Sequence, residues 1–282
     1  MGMRDAIPVI FAATLLEELK NELVFGKVAT KQYSGGIKEK GDRIKLKGYG
    51  GVTINDYDPD TALSYEKPHA AGQFLDIDQA KDYAVELPDI TELQSDPAAR
   101  AHYAKEAAYG LREEVDTYIA ALYSSSARGT YVQKGTAITT ALVTSYIGQL
   151  WTELNKVNVK KKWIIIPPWV SLKLLLAGII HAEDLKGELK NGFIGRVLQF
   201  DMFMSNNCTA LTPVTAGYDR NIIMAGSYQS IAFADQMTQS ESLRSIDYFS
   251  DLIRGLHVWG AKVIKPKELF YNDFEYAPET TI

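Results

Sequence analysis

The sequence predicts an α+β chain, and three stretches carry that expectation. Residues 36–92 read as a long two-armed ribbon, residues 95–123 as one long amphipathic helix, and residues 138–250 as a compact α/β region. Strands and helices thus occupy separate blocks of the chain instead of alternating throughout.

The ribbon comes first in the argument because it has no visible core. Its outgoing arm, 37–47, alternates Arg43, Lys45 and Lys47 with Ile44 and Leu46. Its returning arm, 74–87, alternates Asp76, Asp78 and Asp82 with Leu75, Ile77, Tyr83 and Val85. Period-two alternation marks half-buried strands. Between the arms lie Gly48, Gly50 and Gly51 and the turn-rich run Asn55-Asp56-Tyr57-Asp58-Pro59-Asp60. A two-stranded ribbon alone is at best marginally stable in water. It is therefore expected to lie on something else, and a neighbouring subunit is the natural support. Opposite charges on the two arms favour one register. Ion pairs are expected between Arg43, Lys45 or Lys47 and Asp76, Asp78 or Asp82.

Upstream, Leu15, Leu16, Leu19 and Leu23 recur at helical spacing within residues 7–25. This predicts a short amphipathic helix ending at Gly26, then an extended strip to Gly35. Its apolar stripe also lacks a partner. After the ribbon, Ser95-Asp96-Pro97 supplies a capping acid and a proline suited to the first helical turn. The helix that follows is about 40 Å long at 1.5 Å per residue. Ala104, Ala108, Leu111, Val115, Ile119 and Leu122 form its apolar stripe, with Lys105, Arg112, Glu113 and Asp116 opposite. It reads as a spine.

In the α/β region, Thr139 and Thr140 cap a helix expected to turn Leu142, Tyr146, Leu150 and Leu154 inward. Residues 163–166 read as a buried strand stopped by Pro167-Pro168, with a short apolar helix over 172–176. Further strands are expected at 200–204, 222–224 and 231–233, and a long final strand at 255–265, ended by Pro266. That last strand is expected to pack against the spine. The chain then divides into an arm (1–35), a ribbon (36–92), a discontinuous spine domain (93–137 and 251–282) and the α/β domain (138–250).

Composition narrows the function. With 282 residues, 46% of them hydrophobic, the chain is long enough for one large or two medium domains. No apolar run reaches the length of a membrane span, and no signal-peptide pattern opens the chain. Cys208 is the only cysteine, so no internal disulfide or thiolate cage forms. The net charge of −5 argues against a dedicated nucleic-acid binder.

No catalytic, cofactor or metal site is predicted. His69, His102, His181 and His257 are scattered without metal or triad spacing. The run from Asp56 fails as a calcium loop, with Thr61 at the sixth position and Lys67 at the twelfth. Gly192-Phe193-Ile194-Gly195-Arg196 lacks the lysine and hydroxyl of a phosphate loop. Ser124-Ser125-Ser126 has no nucleophile elbow around it. Cys208 has no basic neighbour to activate it, and nothing marks Lys67 for a covalent link.

Several segments, in order, resemble the major capsid (coat) protein family of tailed double-stranded-DNA phages. They are LEELKNELVFG (16–26), IDQAK (77–81), EAAYGLREEVDTYIAALY (106–123), IIPPW (165–169), NGFIGRVLQFDMFMSNN (191–207), AGSYQSIAFADQ (225–236) and GLHVWGAKVIKP (255–266). The resemblance spans essentially the whole chain.

It implies the tailed-phage capsid fold: an N-terminal arm, a ribbon serving as extended loop, a peripheral spine domain and an axial α/β domain. It also implies a structural function, with many copies forming the hexamers and pentamers of an icosahedral shell around packaged DNA. Expected partners are further copies of the chain, a separate scaffolding protein, a portal, and weak non-specific contacts with DNA, but no membrane. The expected location is the virion, after assembly in the host cytoplasm.

Candidate interface residues are Leu15, Leu19 and Leu23 of the arm and Arg43, Lys45, Lys47, Tyr57, Tyr65, Lys67, Asp76, Asp78 and Asp82 of the ribbon. An encapsulin-type compartment of the same fold is the nearer alternative. An oligomeric α/β enzyme is the remote one, and it lacks a polar constellation to work with.

Overall fold

The computed structural model describes residues 23–31, 40–46, 72–88, 97–125, 137–180, 193–276 and 278. The expectations placed on residues 7–22, on the Ser95-Asp96 cap and on Leu15, Leu19, Lys47, Tyr57, Tyr65 and Lys67 lie outside them.

In chain order the elements are α1 (Phe25–Val28), β1 (Arg43–Leu46), β2 (Gln73–Asp76), β3 (Gln79–Pro88) and the spine helix α2 (Pro97–Ala120). A 3₁₀ turn (Ala121–Ser125) follows, then β4 (Ala137–Ile138), α3 (Thr140–Lys156), β5 (Lys162–Ile166) and α4 (Pro168–Leu176). The chain continues through β6 (Phe193–Val197), β7 (Phe200–Met204), β8 (Arg220–Ser227), β9 (Ile231–Arg244), β10 (Ser250–Val263) and β11 (Leu269–Tyr276).

These strands form three sheets among the described residues. One is the ribbon base, β1-β2; the second is β3-β10-β9; the third is a six-stranded mixed sheet in the order β4-β11-β8-β5-β7-β6. The strand expected at 231–233 runs on to Arg244 and pairs with β10, not with the six-stranded sheet. The tail beyond Pro266, left without a strand in the sequence reading, supplies β11, which pairs antiparallel with β8 and parallel with β4. Both reassignments move material across the 250/251 boundary drawn from sequence.

All five residues of β5 are buried, because the sheet is covered on both faces. Ile164 and Ile166 join Val143, Ile147, Leu150 and Leu154 of α3 and Val170 and Leu174 of α4 in one core. Trp163 and Ile165 point the other way, into a core shared with Val115 and Ile119 of the spine. Strand alternation alone thus gives one sheet two cores. α3 buries Leu150 and Leu154 as expected and packs Tyr146 half-buried beside them, but it also turns Val143 and Ile147 inward and leaves Leu142 exposed. α4 likewise buries Val170 and Leu174 and leaves Leu172 and Leu176 outside. Pro168 opens α4, where its missing N–H costs nothing.

The spine keeps its expected stripe. Ala104, Ala108, Leu111, Val115 and Ile119 are buried, and Leu122 packs half-buried beside them. Asp116 does not stay on the polar side. It is 1% exposed, and its carboxylate accepts the backbone N–H groups of Val24 and Phe25 at 3.1 Å and of Gly26 at 3.4 Å. A buried carboxylate has to be satisfied in this way or lose its charge. The acceptor fixes the single turn α1, which runs through Gly26 instead of ending there. Leu23, expected at a subunit interface, is fully buried in the core of its own chain. Beyond α1, the strip passes Thr30 beside Ala232 in a parallel bridge.

Burial raises the Asp116 carboxyl to about 6, against the pull of the three N–H donors and of Arg112. A raised folded-state value means that this group's contribution to stability falls as pH climbs from about 4 to about 6, then stays flat. The stability difference between the wild type and Asp116→Asn is therefore predicted to shrink across that window, by on the order of 3 kcal/mol. Above it, the variant still loses part of the N–H acceptance. Urea unfolding of the purified chain at pH 4, 5, 6 and 7 measures this.

Candidate subunit interface

The ribbon base is a short antiparallel pair in which Arg43 faces Asp76, Ile44 faces Leu75, Lys45 faces Phe74 and Leu46 faces Gln73. Of the expected ion pairs among described residues, Arg43 with Asp76 forms, at 2.6 Å, with the guanidinium also over the Phe74 ring. Both partners are more than half exposed, so the pair sets register and contributes little stability. Lys45, opposite Phe74, does not meet an aspartate.

The other two aspartates leave the ribbon because the returning arm is not one strand. It breaks at Ile77-Asp78, and β3 then pairs with β10 along ten positions. Asp78 accepts the Tyr118 hydroxyl at 3.0 Å, which ties the ribbon stem to the spine. Burial and the Asp78 charge push that hydroxyl up to about 12. Asp82 lies opposite Leu256 in the β3–β10 ladder. Lys81 and Glu114 add a second link to the spine at 2.9 Å.

The base also has a core, contrary to the sequence expectation. Leu46, Leu75 and Ile77 pack with Ala232, Ala234 and Val258 of β9 and β10 in the same chain. The short alanines on β9 make the floor on which the ribbon lies. Lys262 donates to the Phe74 carbonyl at 2.7 Å, and Gln73 to that of Ile264 at 3.4 Å. Gly260 allows the closest approach: a Cβ there would stand 2.2 Å from the Asp76 carbonyl oxygen. Only glycine fits under such a backbone crossing. The signal was present in GLHVWGAKVIKP, but a glycine inside a strand does not name what approaches it.

A second surface escaped the sequence reading. The β9–β10 turn presents Ile246, which is 100% exposed, with Tyr248 and Phe249 at 72% and 78%. Three large apolar side chains on one exposed turn mark a contact surface. Their neighbours in sequence, Ser245, Asp247 and Ser250, hid the cluster as an ordinary polar loop.

Among the described residues there is no group of three or more metal-ligating side chains. No described helix is long and apolar enough to cross a membrane. His257 is buried in β10, stacked on Trp259 and 3.7 Å from Asp235. Burial pushes the Cys208 thiol up to about 12, consistent with an inert side chain.

Gly260→Val is predicted to destabilise the unassembled subunit by about 1–3 kcal/mol, because the ribbon base has to lift off β10. Chemical denaturation reads the loss. Replacing Ile246 and Phe249 with serine is predicted to leave stability within about 0.5 kcal/mol while sharply reducing assembly, followed by analytical ultracentrifugation.

No protein-family model and no curated protein matches the chain. Solved structures do. The chain is similar to a structure described as Mycobacterium phage Che8, at 24% identity and a TM-score of 0.66, covering 89% of this chain and 91% of that one. It is similar to the capsid of Cyanophage P-SCSP1u at 15% identity and a TM-score of 0.67, covering 91% and 89%. A virus-like particle from Pyrococcus furiosus matches at 10% identity and 0.56, covering 93% and 97%. The fold of this chain, from ribbon base to β11, is therefore that of tailed-phage capsid proteins.

Proposed function

We propose that this chain is a major capsid protein, many copies of which close into an icosahedral head shell around packaged double-stranded DNA. The observation that carries the reading is a likeness to capsid structures that extends over about nine-tenths of both chains, not over one shared domain. The anatomy supports it physically. A ribbon base packed on one end of the β3-β10-β9 sheet, and an exposed apolar turn at the other end of β9 and β10, are two unlike surfaces on one subunit. Unlike surfaces that meet build rings and closed lattices. Modest contacts spread over several neighbours then add up to a strong shell.

In this reading the spine and the three-stranded sheet form the peripheral part, and the six-stranded sheet with α3 and α4 forms the axial part around five- and six-fold positions. The distal ribbon, with Lys47, Tyr57, Tyr65 and Lys67, lies across a neighbour, as does the arm with Leu15 and Leu19. The role is structural and not enzymatic. A separate scaffolding protein and a portal complete assembly in the host cytoplasm, and the product is the virion. The acidic net charge of −5 keeps contacts with DNA weak, which suits a wall past which a genome moves.

Deleting residues 48–72 is predicted to leave a folded subunit that forms no closed particles. Circular dichroism reads the first outcome and negative-stain microscopy the second, with the wild-type chain as the assembling control. Normal particles from the deletion would remove the ribbon from the assembly mechanism. Nucleic acid inside wild-type particles distinguishes a phage head from an enzyme-bearing compartment.

A further inference from the structure

One groove on the six-stranded sheet belongs to neither surface described above. It opens where the end of α3, the start of β5, the β6–β7 turn and the β8–β9 turn meet, and has a volume of about 870 Å³. A second hollow of about 430 Å³ continues it, sharing Asn158, Lys160, Lys161 and Tyr228 and reaching Lys265 and Glu268.

Its charge is unbalanced. Arg196 is neutralised by Asp201 at 2.7 Å, and Lys265 by Glu268 at 3.2 Å. Lys160, Lys161 and Lys162 line the groove, and none pairs with a carboxylate among the described residues. The stem of Lys162 is packed into β5, leaving the residue as a whole 2% exposed, and its ammonium reaches the groove with no carboxylate beside it among the described residues. Burial holds it below the usual lysine range. An anion entering the groove would supply the missing partner.

We propose that this groove is the seat for the acidic segment 56–60 of a second copy of the chain, whose Asp56, Asp58 and Asp60 meet Lys160, Lys161 and Lys162. The inference rests on the shell-forming reading and adds the address at which the ribbon docks. Charge complementarity selects the occupant. Residues 56–60 place three carboxylates at alternate positions, which share one side when the chain is extended. The paired carboxylates Asp201 and Glu268 stay in the walls, where they disfavour a continuous phosphate backbone.

A second copy as the donor follows from the shell-forming reading, and the mixed-isotope label below separates it from docking within one copy.

The test uses the full-length chain. Heavy-isotope-labelled and unlabelled subunits are mixed before assembly, and the particles are treated with a carbodiimide, which joins an amine to a carboxylate in contact. Mass spectrometry should find Lys160 or Lys161 joined to Asp56, Asp58 or Asp60, with one heavy and one light peptide in the linked pair. Lys160→Glu with Lys161→Glu should lower particle yield about tenfold, with the subunit still folded by circular dichroism. Adding Asp56→Lys and Asp58→Lys should restore the yield.

Links confined to same-isotope pairs, or absent from Lys160 and Lys161, overturn the proposal. So does normal assembly of the glutamate variant with loss of encapsulated nucleic acid, which would make the groove a phosphate site. Particles that form without the link refute the seat alone. A wild-type chain that forms no particles would strike at the capsid reading itself.

Discussion

Much of this structure hangs on one buried carboxylate. Asp116 sits on the inner side of the spine, takes three backbone N–H groups from residues 24–26, and so fastens the start of the described chain to the middle of its long helix. The constraint is severe, because a carboxylate at 1% exposure has little access to water. With that point fixed, Leu23, Phe25 and Val28 enter the same core as Val115, Ile119, Trp163 and Trp259. That core touches the spine, the three-stranded sheet and one face of the six-stranded sheet. It makes the subunit one body, on which the other elements are mounted.

The ribbon is the clearest of these. Its base is held by its own subunit through the packing of Leu46, Leu75 and Ile77, the crossing over Gly260, and the Tyr118 link to Asp78. These contacts give the described ribbon base a stiff mount. The two links from the stem to the spine, at Asp78 and Lys81, join the ribbon to the same helix that carries Asp116. Residues 23–28, the spine and the ribbon base are therefore tied to one core by hydrogen bonds and packing.

Periodicity made much of this legible in the sequence. The spine stripe, the short alternating arms and the apolar run of β5 each follow a local rule that tertiary packing did not overturn. What was not legible depended on partners far away in the chain. Asp116 read as solvent-facing because the backbone N–H groups that donate to it lie some ninety residues earlier. The returning arm read as one strand because alternation continues through Ile77-Asp78 even where the pairing partner changes from β1 to β10. β11 was missed because LFYNDFEY mixes polar and apolar residues, and its burial comes from two cores built by distant elements, Leu269 entering one and Phe270 and Phe274 the other. Three lysines in a row, 160–162, carried no signal of their own, since sequence does not show that the third is packed into β5 or that the other cations of the groove wall are paired.

The central physical claim is that the ribbon base and the arm anchor are supported from within the subunit, so that neighbours add to a preformed mount. Amide hydrogen exchange on the unassembled wild-type subunit tests this most directly. The account predicts that the amides of Val24, Phe25 and Gly26, and those of Leu75 and Ile77, are protected well above the rates of an unstructured peptide before any particle forms. Exchange of these amides at unstructured rates in the free subunit, with protection appearing only on assembly, would contradict it.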